Sequence, residues 1–270
     1  PLTNTLVMRR AMEYASSFDL LVILHAIDPW LTDDGCMHEG EVCTRLGLAG
    51  IPEAAETSII ARDLALIEQT GVRAHFSQLS CGRSIDMIVE ARNRGLKVTA
   101  DVAIHHLHLT EYDVGNFNTL CKVMPPLRSE RDRDRLREAV ALGEVQAICS
   151  DHQPHENDAK LAAFSEAEAG ISGLETLLPL CLKLVEQKII SLNEAIAALT
   201  SGPAHLLGLE SGTLGSGCSA DLCIFDPDAE WTLDHTKLIS MGHNTPFKHW
   251  PLTGQVTHTI RAGRLVYTRD

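Results

Sequence analysis

The chain has 270 residues, a hydrophobic fraction of 44%, a formal net charge of −13 and a pI of about 5.4. This size is sufficient for one large domain, or for one domain with a small appendage. The acidic balance argues against nucleic acid as a partner, because phosphate binding needs clustered Lys and Arg. The sequence shows neither an apolar run of about 18 residues nor a signal peptide, so we expect a soluble cytoplasmic protein without a membrane partner.

The eight cysteines occur singly, and the sequence contains no CxxC pair. Neither a zinc knuckle nor a thiol redox motif is therefore indicated. We predict that the cysteines are buried free thiols in a reducing compartment.

Short apolar runs alternate along the chain with longer segments of helical spacing. Strands are predicted at 20–26, 72–80, 97–104 and 145–151, and helices at 54–70, 84–95, 130–143, 173–187 and 191–208. Gly95 and Gly143 are placed to end two of the helices, and Ser191 with Glu194 forms a capping box at the start of the last. Such alternation is typical of βα units around a parallel sheet.

The predicted fold class is α/β, with about four βα units of a (β/α)8 TIM barrel within residues 1–208. Residues 209–270 are rich in Gly and carry short strand-like pieces at 220–226, 256–263 and 264–268, which predicts a small C-terminal β domain. Half a barrel leaves two open sheet edges. Either a partner chain covers them or more of the barrel lies outside this chain. The first residue is Pro1, and we expect the natural start to lie upstream.

In parallel βα folds, reactive residues lie at the carboxyl ends of the strands. The four predicted strands end at or near polar residues, in chain order His25; Gln78; His105 and His106; and Asp151, which is followed by His152 and His155. A histidine and an aspartate on different strands can place Zn²⁺ and a proton acceptor together. The pattern therefore indicates a hydrolase active site at the carboxyl ends of the strands.

Each of these residues also has a purely structural interpretation. A single histidine at a strand end, such as His25, often packs or caps, and Asp151 can simply occupy a turn. Because His105, His106 and His108 are expected to alternate along one stretch, at most one face of that stretch points inward. At least two of the three are predicted to be structural histidines.

Several motifs, spread in order over nearly the whole chain, are distinctive when taken together: VILHAID, RAHFSQLS, GLKVTADVAIHHLHLTE, KVMPPLRSERDRDRLREA, AICSDHQPH, GISGLETLLPL and NTPFKHWPLTGQV. In these motifs the chain resembles dihydroorotase, the cyclic amidohydrolase of de novo pyrimidine synthesis, in its long bacterial form. The resemblance implies the (β/α)8 barrel of the metal-dependent amidohydrolases, with a small β domain built from the segments that flank the barrel.

The resemblance also implies roles for particular residues. His25 occupies a zinc-ligand position of the family, and Asp151 matches the catalytic aspartate, which contacts the metal and acts as general base. His155 matches a substrate-contacting histidine, while Gly170 and its neighbour Ala169 match the substrate loop. In an active enzyme the cofactor would be zinc, which activates water, and Asp151 would carry the proton to the leaving nitrogen of dihydroorotate.

The chain departs from the family at other positions. Gln78 stands where the family has a histidine ligand, and an amide does not replace an imidazole on zinc without a large loss of affinity. His75 precedes it by three residues, and strand alternation predicts that the two side chains point to opposite faces. Met124 stands where the family has an asparagine that holds the substrate. The family's HxH ligand pair belongs to earlier barrel strands, and the one HxH present, His106 with His108, lies in a later segment.

These departures favour the dihydroorotase-like proteins that have lost catalysis and act as structural partners of aspartate transcarbamoylase. We therefore predict an impaired homologue in UMP biosynthesis that forms a homo-oligomer, binds aspartate transcarbamoylase and needs no cofactor. His25 and Asp151 favour an alternative, an active zinc-dependent dihydroorotase that converts dihydroorotate reversibly to N-carbamoyl-aspartate. An amidohydrolase for another cyclic amide or imide is a third alternative.

Overall fold

The computed structural model describes residues 2–269. These residues form nine strands, in chain order Leu21–His25 (β1), Met37–His38 (β2), Gly50–Ile51 (β3), Arg73–Ser77 (β4), Val98–Ala103 (β5), Ala147–Cys149 (β6), Leu222–Thr232 (β7), Pro251–Arg261 (β8) and Arg264–Thr268 (β9). The same residues form nine α-helices, Thr5–Ser17 (α1), Pro29–Thr32 (α2), Glu41–Leu46 (α3), Ala54–Thr70 (α4), Gly82–Asn93 (α5), Glu130–Ala141 (α6), Leu177–Glu186 (α7), Leu192–Leu199 (α8) and Ser201–Leu207 (α9).

The main sheet has four parallel strands in the order β1-β4-β5-β6. Helices α4, α5 and α6 connect these strands, as the alternation of apolar runs and helical segments predicts. A separate antiparallel sheet has the order β7-β8-β9. The predicted α/β fold, with a parallel sheet, its helices and a small β domain, is confirmed.

The hydrophobic core lies between the main sheet and the helices that connect its strands. Ile60 and Ile67 of α4, Ile85 of α5 and Leu136 of α6 are all buried and share this layer with Phe76 of β4. Ile60 and Ile67 lie about two helical turns apart, so they belong to one apolar face of α4 that is turned toward the sheet. The helical face of the sheet is therefore closed.

The opposite face of the sheet corresponds to the interior of a barrel, and it is open at the β1 edge. In β1, Ile23 points to this face and has 57% of its surface exposed. The register pairs Ile23 with His75 of β4, and His75 with Thr99 of β5. Since side chains alternate along a strand, Asp101 of β5 also points into the interior. This face is polar near the carboxyl ends of the strands, which is where the candidate site lies.

The last predicted helix, 191–208, is divided into α8 and α9. Thr200 adopts φ −132° and ψ −82°, which is not helical, and it lies between the two helices. Gly202 packs so tightly that a Cβ atom built on it would lie 2.2 Å from the carbonyl oxygen of Gln146. The predicted capping box of Ser191 and Glu194 is confirmed at the start of α8.

The prediction that all the cysteines are buried is wrong for three of them. Cys218 and Cys223 are exposed, because Cys218 lies just before the small antiparallel sheet and Cys223 lies in it, outside the core. Cys149 is half-buried. The other five are buried free thiols. Within residues 2–269, no helix combines the length and the apolar character that crossing a membrane requires.

Candidate active site

The carboxyl ends of the strands bring three candidate residues to one edge of the main sheet. His25 is the last residue of β1 and pairs in register with Ser77. Gln78 follows directly on β4, and Asp151 comes two residues after β6. The side chain of His25 is exposed, whereas Asp151 has only 8% of its surface exposed.

Gln78 and Asp151 are in direct contact although β5 lies between their strands. Nε2 of Gln78 donates to Oδ1 of Asp151 at 2.6 Å, and Nε2 of Gln153 donates to the same oxygen at 2.8 Å. Gln78 has φ 59° and Asp151 has φ 43°, a left-handed conformation that is uncommon for residues other than glycine. The left-handed backbone at Gln78 and at Asp151 ends the regular geometry that each strand has up to that point.

A second carboxylate, Asp101, joins the ends of β4 and β5 beneath this contact. Its Oδ2 accepts hydrogen bonds from Nε2 of His75 at 2.8 Å and from Oγ of Ser77 at 3.1 Å, and its Oδ1 accepts from the backbone N–H of Gln78 at 2.7 Å. Burial by itself would raise the pKa of Asp101, but the hydrogen bonds from His75 and from the Gln78 backbone lower that pKa overall. Asp101 is therefore a stable anion within the sheet.

The prediction that His75 points away from Gln78 is wrong. The left-handed backbone at Gln78 breaks the alternation of the strand, so both side chains bond to carboxylates on the interior face. The ring of His75 is nevertheless fully engaged, since Nδ1 contacts Oγ1 of Thr99 at 2.9 Å while Nε2 is bound to Asp101. It is not free to replace the histidine ligand that the resemblance implies at position 78.

The other oxygen of Asp151 faces a buried histidine. Its Oδ2 lies 3.9 Å from Nε2 of His105, which is too long for a hydrogen bond. Among the residues that the structure describes, neither Oδ2 of Asp151 nor either ring nitrogen of His105 has a hydrogen-bond partner. Burial raises the pKa of Asp151, although Gln153, His25 and Gln78 act in the opposite direction. Burial lowers the pKa of His105 far below its usual range, which keeps the ring neutral.

The histidines of the IHHLH stretch do not alternate along a strand, because residues Ile104–Leu107 form a 3₁₀ helix. Nε2 of His106 contacts two carbonyl oxygens of the PPLR segment at 3.2 and 3.3 Å, and Nε2 of His108 contacts the carbonyl of Leu180 at 2.9 Å. Both rings are buried. The prediction that at least two of these histidines are structural is confirmed.

The loop after Asp151 is held by a residue that sequence reasoning missed. Asn244 has 3% of its surface exposed, and its Nδ2 donates to the carbonyl oxygens of Gln153 and Gly170, both at 3.0 Å. Its Oδ1 accepts from the backbone N–H of His155 at 2.8 Å. Nε2 of His155 in turn contacts the carbonyl of Ala169 at 2.9 Å. The NTPF motif was the available signal for Asn244, but nothing local in it indicates a contact with a loop about 90 residues earlier.

Gly170 and Met124 lie on neighbouring segments beside this loop. Gly170 has φ 132°, and a Cβ atom there would lie 2.5 Å from Cβ of Gln153, so the position requires glycine. Its backbone N–H donates to the carbonyl of Lys122 at 2.8 Å, two residues before Met124. Met124 is half-buried, and its thioether cannot donate a hydrogen bond to a substrate.

The described residues do not by themselves fit a zinc ion. Within residues 2–269, no group of three or more His, Cys, Asp and Glu side chains is arranged so that it could hold a metal. A zinc site needs three or four ligands, and of the three positions where the resemblance implies a ligand, His25 and Asp151 carry a suitable side chain. At the third, Gln78 turns its N–H toward Asp151, and that nitrogen has no electron pair to offer a metal.

Residues 3–266 match the amidohydrolase family. The chain belongs to this family. Among its similar relatives are the dihydroorotase-like protein of Pseudomonas aeruginosa, 49% identical over 261 residues, and the dihydroorotase of Syntrophotalea carbinolica, 46% identical over 267 residues. The alignments cover 97% and 99% of this chain, and 62% and 63% of the two relatives. This amidohydrolase chain therefore spans less than two thirds of the length of the relatives it matches, and the resemblance to dihydroorotase is confirmed.

Solved hydantoinase structures share the fold. The L-hydantoinase (dihydropyrimidinase) of Arthrobacter aurescens superposes with a TM-score of 0.89 at 25% sequence identity, covering 100% of this chain and 62% of that enzyme. A D-hydantoinase superposes with a TM-score of 0.85 at 22% identity, covering 98% of this chain and 61% of the other. The four βα units are thus part of an amidohydrolase barrel, as predicted.

Proposed function

We propose that this chain is part of a dihydroorotase-like protein of de novo pyrimidine biosynthesis that has lost ring hydrolysis and acts as a structural partner of aspartate transcarbamoylase, in a cytoplasmic complex. The observation that carries the proposal is the hydrogen bond from Nε2 of Gln78 to Oδ1 of Asp151. The acceptor, Asp151, stands at the position of the family's catalytic aspartate. The donor, Gln78, stands at a position where the family has a metal ligand.

The chemistry of this contact supports impaired hydrolysis. A general base must present a free electron pair to the water or substrate from which it takes a proton. Oδ1 of Asp151 instead receives N–H groups from Gln78 and Gln153, which leaves only Oδ2 of this carboxylate for the task. Met124, with no hydrogen-bond donor, removes a second function from the substrate position. Both the general base and a substrate-binding position of the family are therefore altered at the candidate active site.

The partner follows from the resemblance to dihydroorotase-like proteins. The P. aeruginosa relative carries that name and is 49% identical over 97% of this chain. A barrel that no longer turns over substrate can still present its outer surface to a transcarbamoylase, because binding surfaces and the mouth of the barrel are separate parts of the fold.

The second candidate function is an active zinc-dependent dihydroorotase, with dihydroorotate as substrate. It is favoured by the side of Asp151 that faces His105, where Oδ2 is buried without a hydrogen bond from residues 2–269. His25 at the end of β1 is also retained and exposed. In this case further zinc ligands would have to come from outside the described residues. The similarity to hydantoinases leaves another cyclic amide or imide as a substrate class for the same candidate.

A paired experiment on the full-length protein tests the proposal. The protein is mixed with aspartate transcarbamoylase and analysed by size-exclusion chromatography, and dihydroorotate hydrolysis is assayed with added Zn²⁺. The proposal expects a stable complex and no turnover above background. Turnover that disappears in Asp151→Ala would support the active enzyme, and failure to form a complex would contradict the structural role.

A further inference from the structure

We infer that Gln78 ties the end of β4 to the end of β6 in place of a metal ion, as a hydrogen-bonded link that holds the curvature of the sheet. The inference rests on the proposed function, because the amide can bind Asp151 in this way only where no metal competes for the carboxylate. It assigns to Gln78 a positive structural role rather than the mere loss of a ligand.

The topology of the sheet shows why this contact differs from an ordinary side-chain hydrogen bond. In the order β1-β4-β5-β6, strands β4 and β6 are not neighbours, and β5 separates them. No ladder of backbone hydrogen bonds therefore connects the two strands. The bond between Gln78 and Asp151 passes over the end of β5 and joins positions 73 residues apart in sequence. A link between the first and third of three consecutive strands restricts how far the sheet can flatten, as a metal bound to both strand ends would.

The Gln78 end of the link is firmly anchored. Its backbone N–H donates to Oδ1 of Asp101 at 2.7 Å, and the N–H of Leu79 donates to the carbonyl of Asp101 at 3.0 Å. The carboxylate of Asp101 is itself held by His75 and Ser77. The left-handed backbone at Gln78 is thus fixed from β5, and from there its side-chain amide reaches Asp151 beyond the end of β6.

At the Asp151 end, Oδ1 would keep a hydrogen-bond donor without Gln78. Gln153 already donates to the same oxygen from two residues away, at 2.8 Å. A hydrogen bond to this oxygen therefore does not require the bond from Gln78. What the Gln78 amide adds is the connection between strands, and hydrogen bonds to charged acceptors are among the stronger ones in proteins.

The pair of glutamines supplies a matched comparison for the test. Gln78→Leu and Gln153→Leu each remove one N–H donor from Oδ1 of Asp151, but only Gln78→Leu removes the link between β4 and β6. Both variants are made in the full-length protein, treated with chelator. Thermal unfolding and amide hydrogen exchange of Ala147–Cys149 are then measured. We expect Gln78→Leu to lower Tm by about 2–4 °C and to raise exchange in β6 several-fold, while Gln153→Leu leaves exchange in β6 unchanged.

A double-mutant cycle isolates the bond itself. Asp151→Gly removes the acceptor and suits the φ of 43° at that position, and any effect of glycine on the unfolded chain cancels in the cycle. We expect Gln78→Leu to lower Tm much less in the Asp151→Gly background than in the wild type. Equal losses in both backgrounds, or equal exchange in the Gln78→Leu and Gln153→Leu variants, would overturn the inference.

Failure of this inference and failure of the proposed function give different results. If the protein carries a functional metal, the untreated wild type contains stoichiometric zinc and its Tm falls on chelation, which contradicts the proposed function. If the protein is metal-free but the link does not stabilise the sheet, chelation leaves Tm unchanged. The losses of Tm caused by Gln78→Leu and Asp151→Gly are then additive. The link is supported by a Tm insensitive to chelator together with a non-additive cycle.

Discussion

The side-chain amide of Gln78 lies 2.6 Å from the carboxylate of Asp151 and donates a hydrogen bond to it between two strands that are not adjacent in the sheet. The resemblance to dihydroorotase implies a metal ligand at position 78, and this chain has a hydrogen-bond donor there. Asp151, which the resemblance identifies as the catalytic aspartate, receives two amide N–H groups. The contact between Gln78 and Asp151 has several measurable consequences.

Replacing Gln78 by histidine should increase zinc binding by the full-length protein. An imidazole at this position would bring an electron pair to the place where the amide now offers N–H, and with His25 and Asp151 it would complete a set of three N and O ligands. We expect zinc per chain, measured by elemental mass spectrometry after equilibration with Zn²⁺, to rise from near zero toward one in Gln78→His. Gln153→His is the control, because it places the same residue beside Asp151 but not at the end of β4. Equal zinc in the wild type and Gln78→His would show that Gln78 does not limit metal binding.

The buried histidines should make the fold sensitive to acid. Burial lowers the pKa of His106 and of His108 to about 4, whereas an unfolded histidine titrates near 6.5. Between these values the unfolded state binds more protons, so stability is complete above about pH 6.5 and is lost as the pH falls toward 4. We expect His108→Gln to reduce the loss of unfolding free energy between pH 7 and pH 5 by about 1–2 kcal/mol.

The measurement for this prediction is urea unfolding at the two pH values. His205, which is exposed on α9, provides the control, and His205→Gln should leave the pH dependence as it is in the wild type. A His108→Gln variant with the same pH dependence as the wild type would mean that this ring is not the source of the acid sensitivity.

Removing Asn244 should loosen the loop that carries His155 and Gly170. Its side chain makes three hydrogen bonds while almost completely buried, and Asn244→Ala would leave two carbonyl oxygens and one N–H without those partners. We expect the free energy of unfolding to fall by about 2–4 kcal/mol, with increased proteolysis within residues 152–170. Asn193→Ala, at an exposed position of α8, should change stability by less than about 0.5 kcal/mol. Similar losses in the two variants would contradict the assigned role of Asn244.

The arrangement of strands and helices was accessible from the sequence, since hydrophobic periodicity is a local property. The helix predicted at 54–70 is α4, Ala54–Thr70, and it ends at Gly71 with φ 66°, as a helix C-terminus favours. The predicted strands lie within a few residues of β1, β4, β5 and β6. The apolar runs carry this information because strands buried between helices and neighbouring strands leave little room for polar side chains.

The details of the candidate site were less accessible, because they depend on backbone turns and on distant contacts. Nothing local marks Gln78 as a left-handed residue, and without that turn the alternation rule places His75 and Gln78 on opposite faces. The same difficulty hides Asn244, whose partners lie about 90 residues earlier in the chain. The 3₁₀ helix at Ile104–Leu107 overrode the expectation that three histidines would alternate.

The most direct test of the proposed loss of hydrolysis is the amount of zinc in the full-length protein purified without chelator, measured by elemental mass spectrometry. The contact of Gln78 with Asp151 predicts far less than one zinc ion per chain, with no decrease in Asp151→Ala or His25→Ala. One or more zinc ions per chain, lost on either substitution, would contradict this account and establish a working metal site at the ends of the strands.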